Sequence, residues 1–331
     1  MLVAAALLGA AACALVVSRN MTVGRPGSVA RVTVPPRVTV AALADSLRRA
    51  GVIRSARVFS IVASFRGLPS DSIIGGRYLV PRRGTMDALF AQLQSGQGRF
   101  RRLTIPEGWG IRQIARLVQD SLGIPTDSLI AATRDPARRD RMQTPAADVE
   151  GYLFPATYEF TDGTSAGAVV DTMLLTFDRR WRRAWDTTLA RQGRSRHALV
   201  TLASIVEKEA GRSSDRPLIA AVYVNRLKKG MRLQADPTVV YAMGLASKKR
   251  VLFSDLRIDS PYNTYRVSGL PPGPIASPGT ASLAASVQPA MTDALFFVAF
   301  PDGHSQFEQT FARHSAAIRA ARAARDSITP R

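Results

Sequence analysis

Leu2 to Val17 is an unbroken run of sixteen apolar and small residues, closed by Ser18 and Arg19. Such a segment does not sit in water alone, so it separates an apolar terminal piece from the body of the chain. At about 1.5 Å per residue it spans roughly 24 Å as a helix, slightly short of a bilayer core. An uncleaved anchor, a cleaved signal, a lipoprotein signal ending at Cys13, or a buried helix would each account for it. Ala10 stands where a lipoprotein signal carries a large aliphatic residue, and Met1-Leu2-Val3 lacks the cations of a cleaved signal, so the anchor is preferred. Arg19, Arg25 and Arg31 follow the run and, on the positive-inside rule, oppose export of the body. A long domain translocates largely regardless of such charges, and an extracytoplasmic body is expected.

The body is globular in composition, with 46% hydrophobic and 21% charged residues in a chain of 331. A net charge of +20 admits nucleic acid, an anionic membrane or an acidic polymer as partner. The arginines are scattered rather than gathered in a long basic run, which argues against nucleic acid. Cys13 is the single cysteine, so no disulfide forms within the chain. His197, His304 and His314 make no metal-binding pattern, and no metal or cofactor is expected.

Residues 20–38, with Pro26, Pro35 and Pro36, read as a linker leading into a short strand, Val29–Val34. Thr39 and Thr85 are placed to cap helices, a further helix covers Ser55–Phe65, and Gly76–Val80 reads as turn and strand. A small α+β module over residues 39–100 is expected. Leu103–Ile105 reads as a strand, Ile111–Leu122 as a helix, and residues 125–148 as a helix with loose ends. Further helices are expected near 165–190, 195–210 and 215–229, then a long ordered loop over Asp255–Pro278, a strand Leu295–Ala299 and a helix Thr310–Arg325.

Two carboxylates stand in the Ser195–Ala210 helix. With Leu199 at the centre of a helical wheel, Leu202, Ala203, Val206 and Ala210 gather around it. Glu209 then falls on the edge of this apolar stripe, and Glu207 on the opposite flank, further from its centre. Apolar surroundings disfavour a charged carboxylate, so Glu209 is the better candidate for an acid that stays protonated near neutral pH. The wheel alone leaves open that both are solvated helix charges. Downstream, Gln234, Asp236 and Thr238 alternate, and an extended stretch would set all three on one face. Tyr262-Asn263-Thr264-Tyr265 precedes a Pro/Gly-rich loop, and tyrosines beside amides suit sugar rings.

These residues resemble the endolytic transglycosylase family called YceG-like. The similar stretches are Glu150–Tyr158, Leu202–Gly211, Arg216–Tyr241, Ser260–Pro278 and Pro289–His314, in the family's order. Residues 39–100 are less strongly similar to its LysM-like module. The resemblance implies an N-terminal membrane helix (residues 1–19), a linker (20–38), the LysM-like α+β module (39–100) and a mainly helical catalytic domain with a small sheet (101–331). It implies catalysis by Glu209 on peptidoglycan glycan strands, with Glu150, Tyr152, Asn225, Gln234, Asp236, Thr238, Tyr262, Asn263 and Tyr265 on the substrate side. It also implies single-pass anchoring in the inner membrane and possible contact with peptidoglycan synthases. Rival functions are a lysozyme-type hydrolase using Asp236 as a second carboxylate, a wall-binding scaffold without catalysis, and a nucleic-acid binder.

Overall fold

Hydroxyl caps fix where the first helices begin. Thr39 Oγ1 accepts the Ala42 N–H at 3.2 Å and opens α1 (Val40–Arg49). Ser55 and Thr85 do the same for α2 (Ala56–Phe65) and α3 (Met86–Ser95). The computed structural model describes residues 27–69, 72–245 and 251–328. The expected membrane helix over residues 1–19 lies outside them. Among the described residues no helix is long and apolar enough to cross a membrane.

The chain forms two compact units. The first comprises residues up to 102 together with 159–164. Strand β1 (Val29–Val34) alternates exposed and buried residues and pairs antiparallel with β2 (Gly76–Pro81), setting Val32 opposite Tyr78. Ala30, Val32 and Val34 face a core built from Leu43, Leu47, Phe59, Tyr78, Phe90 and Leu93. The sheet runs β1-β2-β3-β4, with β3 at Arg99–Thr104 and β4 at Thr157–Thr161. Strand β4 is absent from the sequence reading; in the first unit Arg99 Nε holds Asp162 at 2.6 Å just beyond it.

The second unit comprises residues 103–158 and 165–331. Helix α4 (Ile111–Leu122) is followed not by one loose helix but by two, α5 (Thr126–Thr133) and α6 (Pro136–Met142), the latter capped by Asp135. The helix expected over 165–190 is broken at Trp181, which is extended, into α7 (Ala166–Arg180) and α8 (Arg183–Arg191). Helices α9 (Arg196–Glu209) and α10 (Arg216–Lys228) follow, then α11 (Asp236–Ala242), α12 (Thr280–Val287), a hairpin of β5 (Phe296–Ala299) with β6 (Ser305–Glu308), and α13 (Phe311–Ile328).

Helix α9 lies in the middle of this unit. Leu199 to Val206 are all buried, so it is enclosed on every side rather than along the one stripe read from the wheel. Its polar members bond internally, Thr201 to His197 O and Ser204 to Thr201 O. Ser204 Oγ also accepts the Ile275 N–H at 3.0 Å, which ties the Pro/Gly-rich loop to the helix. Gly151 lies against the same loop at φ +83°, where an added Cβ would stand 2.4 Å from Pro274.

Candidate active site

The last residue of α9 is Glu209. Tyr223, in the middle of α10, donates its hydroxyl to Glu209 Oε1 at 2.9 Å. That tyrosine is buried, with Phe297 of β5 edge-on to its ring at 5.9 Å. Glu209 as a residue keeps some accessible surface, while its carboxyl is enclosed by protein. Burial pushes this carboxyl up to about 7; the Tyr223 hydrogen bond opposes the shift, the negative charge of Asp236 adds to it, and Arg226 opposes it. Three residues after Tyr223 on α10, Arg226 donates Nε to Leu295 O and Nη1 to Leu233 O, both at 2.7 Å. Its guanidinium is therefore held in place beside the acid. Tyr265 Oη donates to Asp236 Oδ1 at 2.6 Å, which brings both of these residues into the same cluster.

Glu207 has different neighbours. Its side chain is only 6% exposed, against the expectation of a position further from the core. Arg216 Nη2 meets Oε1 at 3.0 Å, and the Gly279 N–H meets Oε2 at 3.0 Å. The two glutamates thus separate by partner: an ion pair for Glu207, a phenol for Glu209. An ion pair stabilises a carboxylate, whereas a desolvated carboxyl beside another negative charge favours its proton. Glu209 is the one suited to give a proton away.

Glu150 is buried at the start of α4, where both its oxygens accept the Ile111 N–H at 3.1 Å. Burial pushes it up to about 8. It lines a cavity of about 690 Å³, together with Arg112, Arg116, Arg134, Lys208 and Tyr241. Glu209 is not on that wall, but the residues beside Glu209 and Asp236 in the chain, Lys208 and Pro237, are.

The other expected site residues range from buried to exposed positions. The face of Gln234, Asp236 and Thr238 does not form, because α11 starts at Asp236 and Gln234 has a left-handed φ of 52°. Gln234 and Asp236 are exposed. Thr238 is buried, its hydroxyl bonded to Ala235 O and to Thr264 Oγ1. Asn225 donates to Thr292 O and Ala294 O, and Asn263 to Leu256 O and Ile258 O, so both amides brace backbone. The Tyr152 hydroxyl bonds His197 Nδ1 inside the core. Tyr262 packs on Tyr241, ring centroids 4.8 Å apart.

The sequence model of the YceG-like family matches residues 32–320. The chain belongs to the YceG-like family. It is 35% identical over 301 residues to the endolytic murein transglycosylase of Bacillus subtilis, covering 86% of this chain and 83% of that protein. It is 30% identical over 298 residues to the endolytic murein transglycosylase of Streptococcus pneumoniae, covering 81% of this chain and 54% of that one. The crystal structure of a yceG-like protein of Listeria monocytogenes is similar with a TM-score of 0.62 and 32% identity, over 87% of this chain and 98% of that one.

Tyr223 and Arg216 of this candidate site are missing from the sequence reading. Tyr223 is the single phenol in the aliphatic stretch Ile219–Val224 of α10, a signal that goes unread. Arg216 opens the same helix, and nothing in its local sequence points to a partner on α9. Among the described residues no group of three or more potential metal ligands occurs.

Proposed function

We propose that this chain is an endolytic lytic transglycosylase that cuts the bond between N-acetylmuramic acid and N-acetylglucosamine in peptidoglycan. The supporting observation is the Glu209 carboxyl, desolvated and pushed up to about 7 at the end of α9. Near neutral pH such a group is both a proton donor and, once it has given the proton up, a competent base. Glu209 protonates the glycosidic oxygen as the bond from C1 breaks. The C6 hydroxyl of the muramic sugar then closes on C1, and its proton passes to the Glu209 carboxylate, which restores the acid. The product carries a 1,6-anhydro end, and no water is consumed. An internal nucleophile has a high effective concentration, so a second carboxylate is not required.

In the same reading the apolar run at residues 2–17 anchors the chain in the inner membrane and the catalytic unit works outside the cytoplasm. There it shortens nascent strands beside the peptidoglycan synthases, with the first unit acting as a LysM-like module.

The test is digestion of purified peptidoglycan by the parent and by Glu209→Gln, with mass analysis of the ends. The expected outcome is anhydro ends from the parent and a loss of about 10²–10⁴-fold in the variant. Reducing ends would favour hydrolysis with Asp236 as the second carboxylate. Full activity in Glu209→Gln would end the assignment.

A further inference from the structure

The cavity beside Glu150 has more positive than negative charge on its wall. Arg112, Arg116, Arg134 and Lys208 face two carboxyls, Asp148 and Glu150. Burial pushes Glu150 up to about 8, so near neutral pH it adds no full negative charge to the wall. Arg112 and Arg116 are one turn apart on α4, and like charges at that spacing repel. Four other arginines of this unit are held in ion pairs: Arg138 with Asp171, Arg141 and Arg196 with Asp178, Arg216 with Glu207. Arg116 and Arg134 have no hydrogen bond or ion pair from their side chains among the described residues. Arg112 reaches only the Gly244 carbonyl at 3.5 Å, and Lys208 the Gly108 carbonyl at 3.3 Å. Unpaired guanidiniums gathered around one concavity suit oxyanions, which they bind through two parallel hydrogen bonds.

We infer that this cavity receives an anionic group of the strand substrate, a carboxylate or a phosphate, held by Arg116 and Arg134 with Arg112 and Lys208 completing the wall. The inference rests on the reading of peptidoglycan as substrate. That polymer offers two sources of such oxygens: the carboxylates of its peptide stems, and the diphosphate at the lipid-linked end of a growing strand.

Calorimetric binding to the full chain tests this with three soluble glycan fragments. The first carries peptide stems, the second the same stems with every carboxylate amidated, and the third amidated stems plus a diphosphate at the reducing end. The parent is expected to bind the first or the third about tenfold tighter than the second, and the preferred one names the source. Arg116→Gln/Arg134→Gln should erase that preference. Arg179→Gln/Arg183→Gln, which removes equal charge from exposed positions outside the cavity, should keep it. Equal affinity of the parent for all three fragments, no binding at all, a preference that survives in the cavity variant, or its equal loss in the control would each overturn the inference. Failure of the catalytic reading shows separately, as absence of cleavage products from the parent.

Discussion

Glu209 and Tyr223 form a pair whose chemistry sets a pH profile. In the proposed reaction Glu209 carries its proton at the first step, and burial pushes it up to about 7, so the rate is expected to fall as pH rises past that value. The Tyr223 hydroxyl donates to the carboxyl and therefore favours its charged form. Tyr223→Phe removes this donor and leaves the desolvation in place. The acid should then hold its proton to higher pH, and the alkaline limb of kcat/KM should move upward. At pH 8 the variant should keep a larger fraction of its own maximum than the parent does, even though the maximum itself is lower. A limb that stays in place, or moves down, would show that Glu209 is not the group being titrated.

At the scale of elements, the Glu207–Arg216 pair joins the end of α9 to the start of α10, and through the Gly279 N–H and Ser282 Oγ it reaches the start of α12. The two side chains are 6% and 13% exposed, so solvent screens them little. Arg216→Met leaves Glu207 buried without its cation and should cost about 3–5 kcal/mol, read as a lower midpoint in urea denaturation. Adding Glu207→Leu to that variant should recover much of the loss; no recovery would mean that packing, not charge, dominates there. The same elements show what was legible in the sequence. Thr39, Ser55, Thr85 and Ser195 each cap a helix through an N–H three residues on, and chemistry that local can be read without a fold. The partners of Asn225 lie 67 and 69 residues away, and that of Glu207 at Gly279 lies 72 away. Side chains of this kind look like ligand-binding groups in the sequence because what they brace is distant along the chain. Strand β4 was missed for the same reason, since strand pairing is long-range. The preference for Glu209 over Glu207 needed only one helix to argue, although α9 proved to be enclosed on all sides.

For the whole molecule, the two units carry separate apolar cores, and the chain has a net charge of +20. Most of the described arginines are exposed, so their summed field reaches into solvent and raises the local concentration of an anionic polymer. That field has a range of about 10 Å at 0.1 M salt and about 3 Å at 1 M. The Glu209 carboxyl is enclosed and its partners act over much shorter distances, so salt screens it far less. Salt should therefore separate the two contributions. Between about 0.05 and 0.5 M sodium chloride, KM for peptidoglycan fragments is expected to rise several-fold while kcat changes little. Fragments with amidated stems should show a weaker rise, because less charge is there to be screened. If kcat fell in step with the rise in KM, the charged surface would be acting on the chemical step rather than on the approach of the strand.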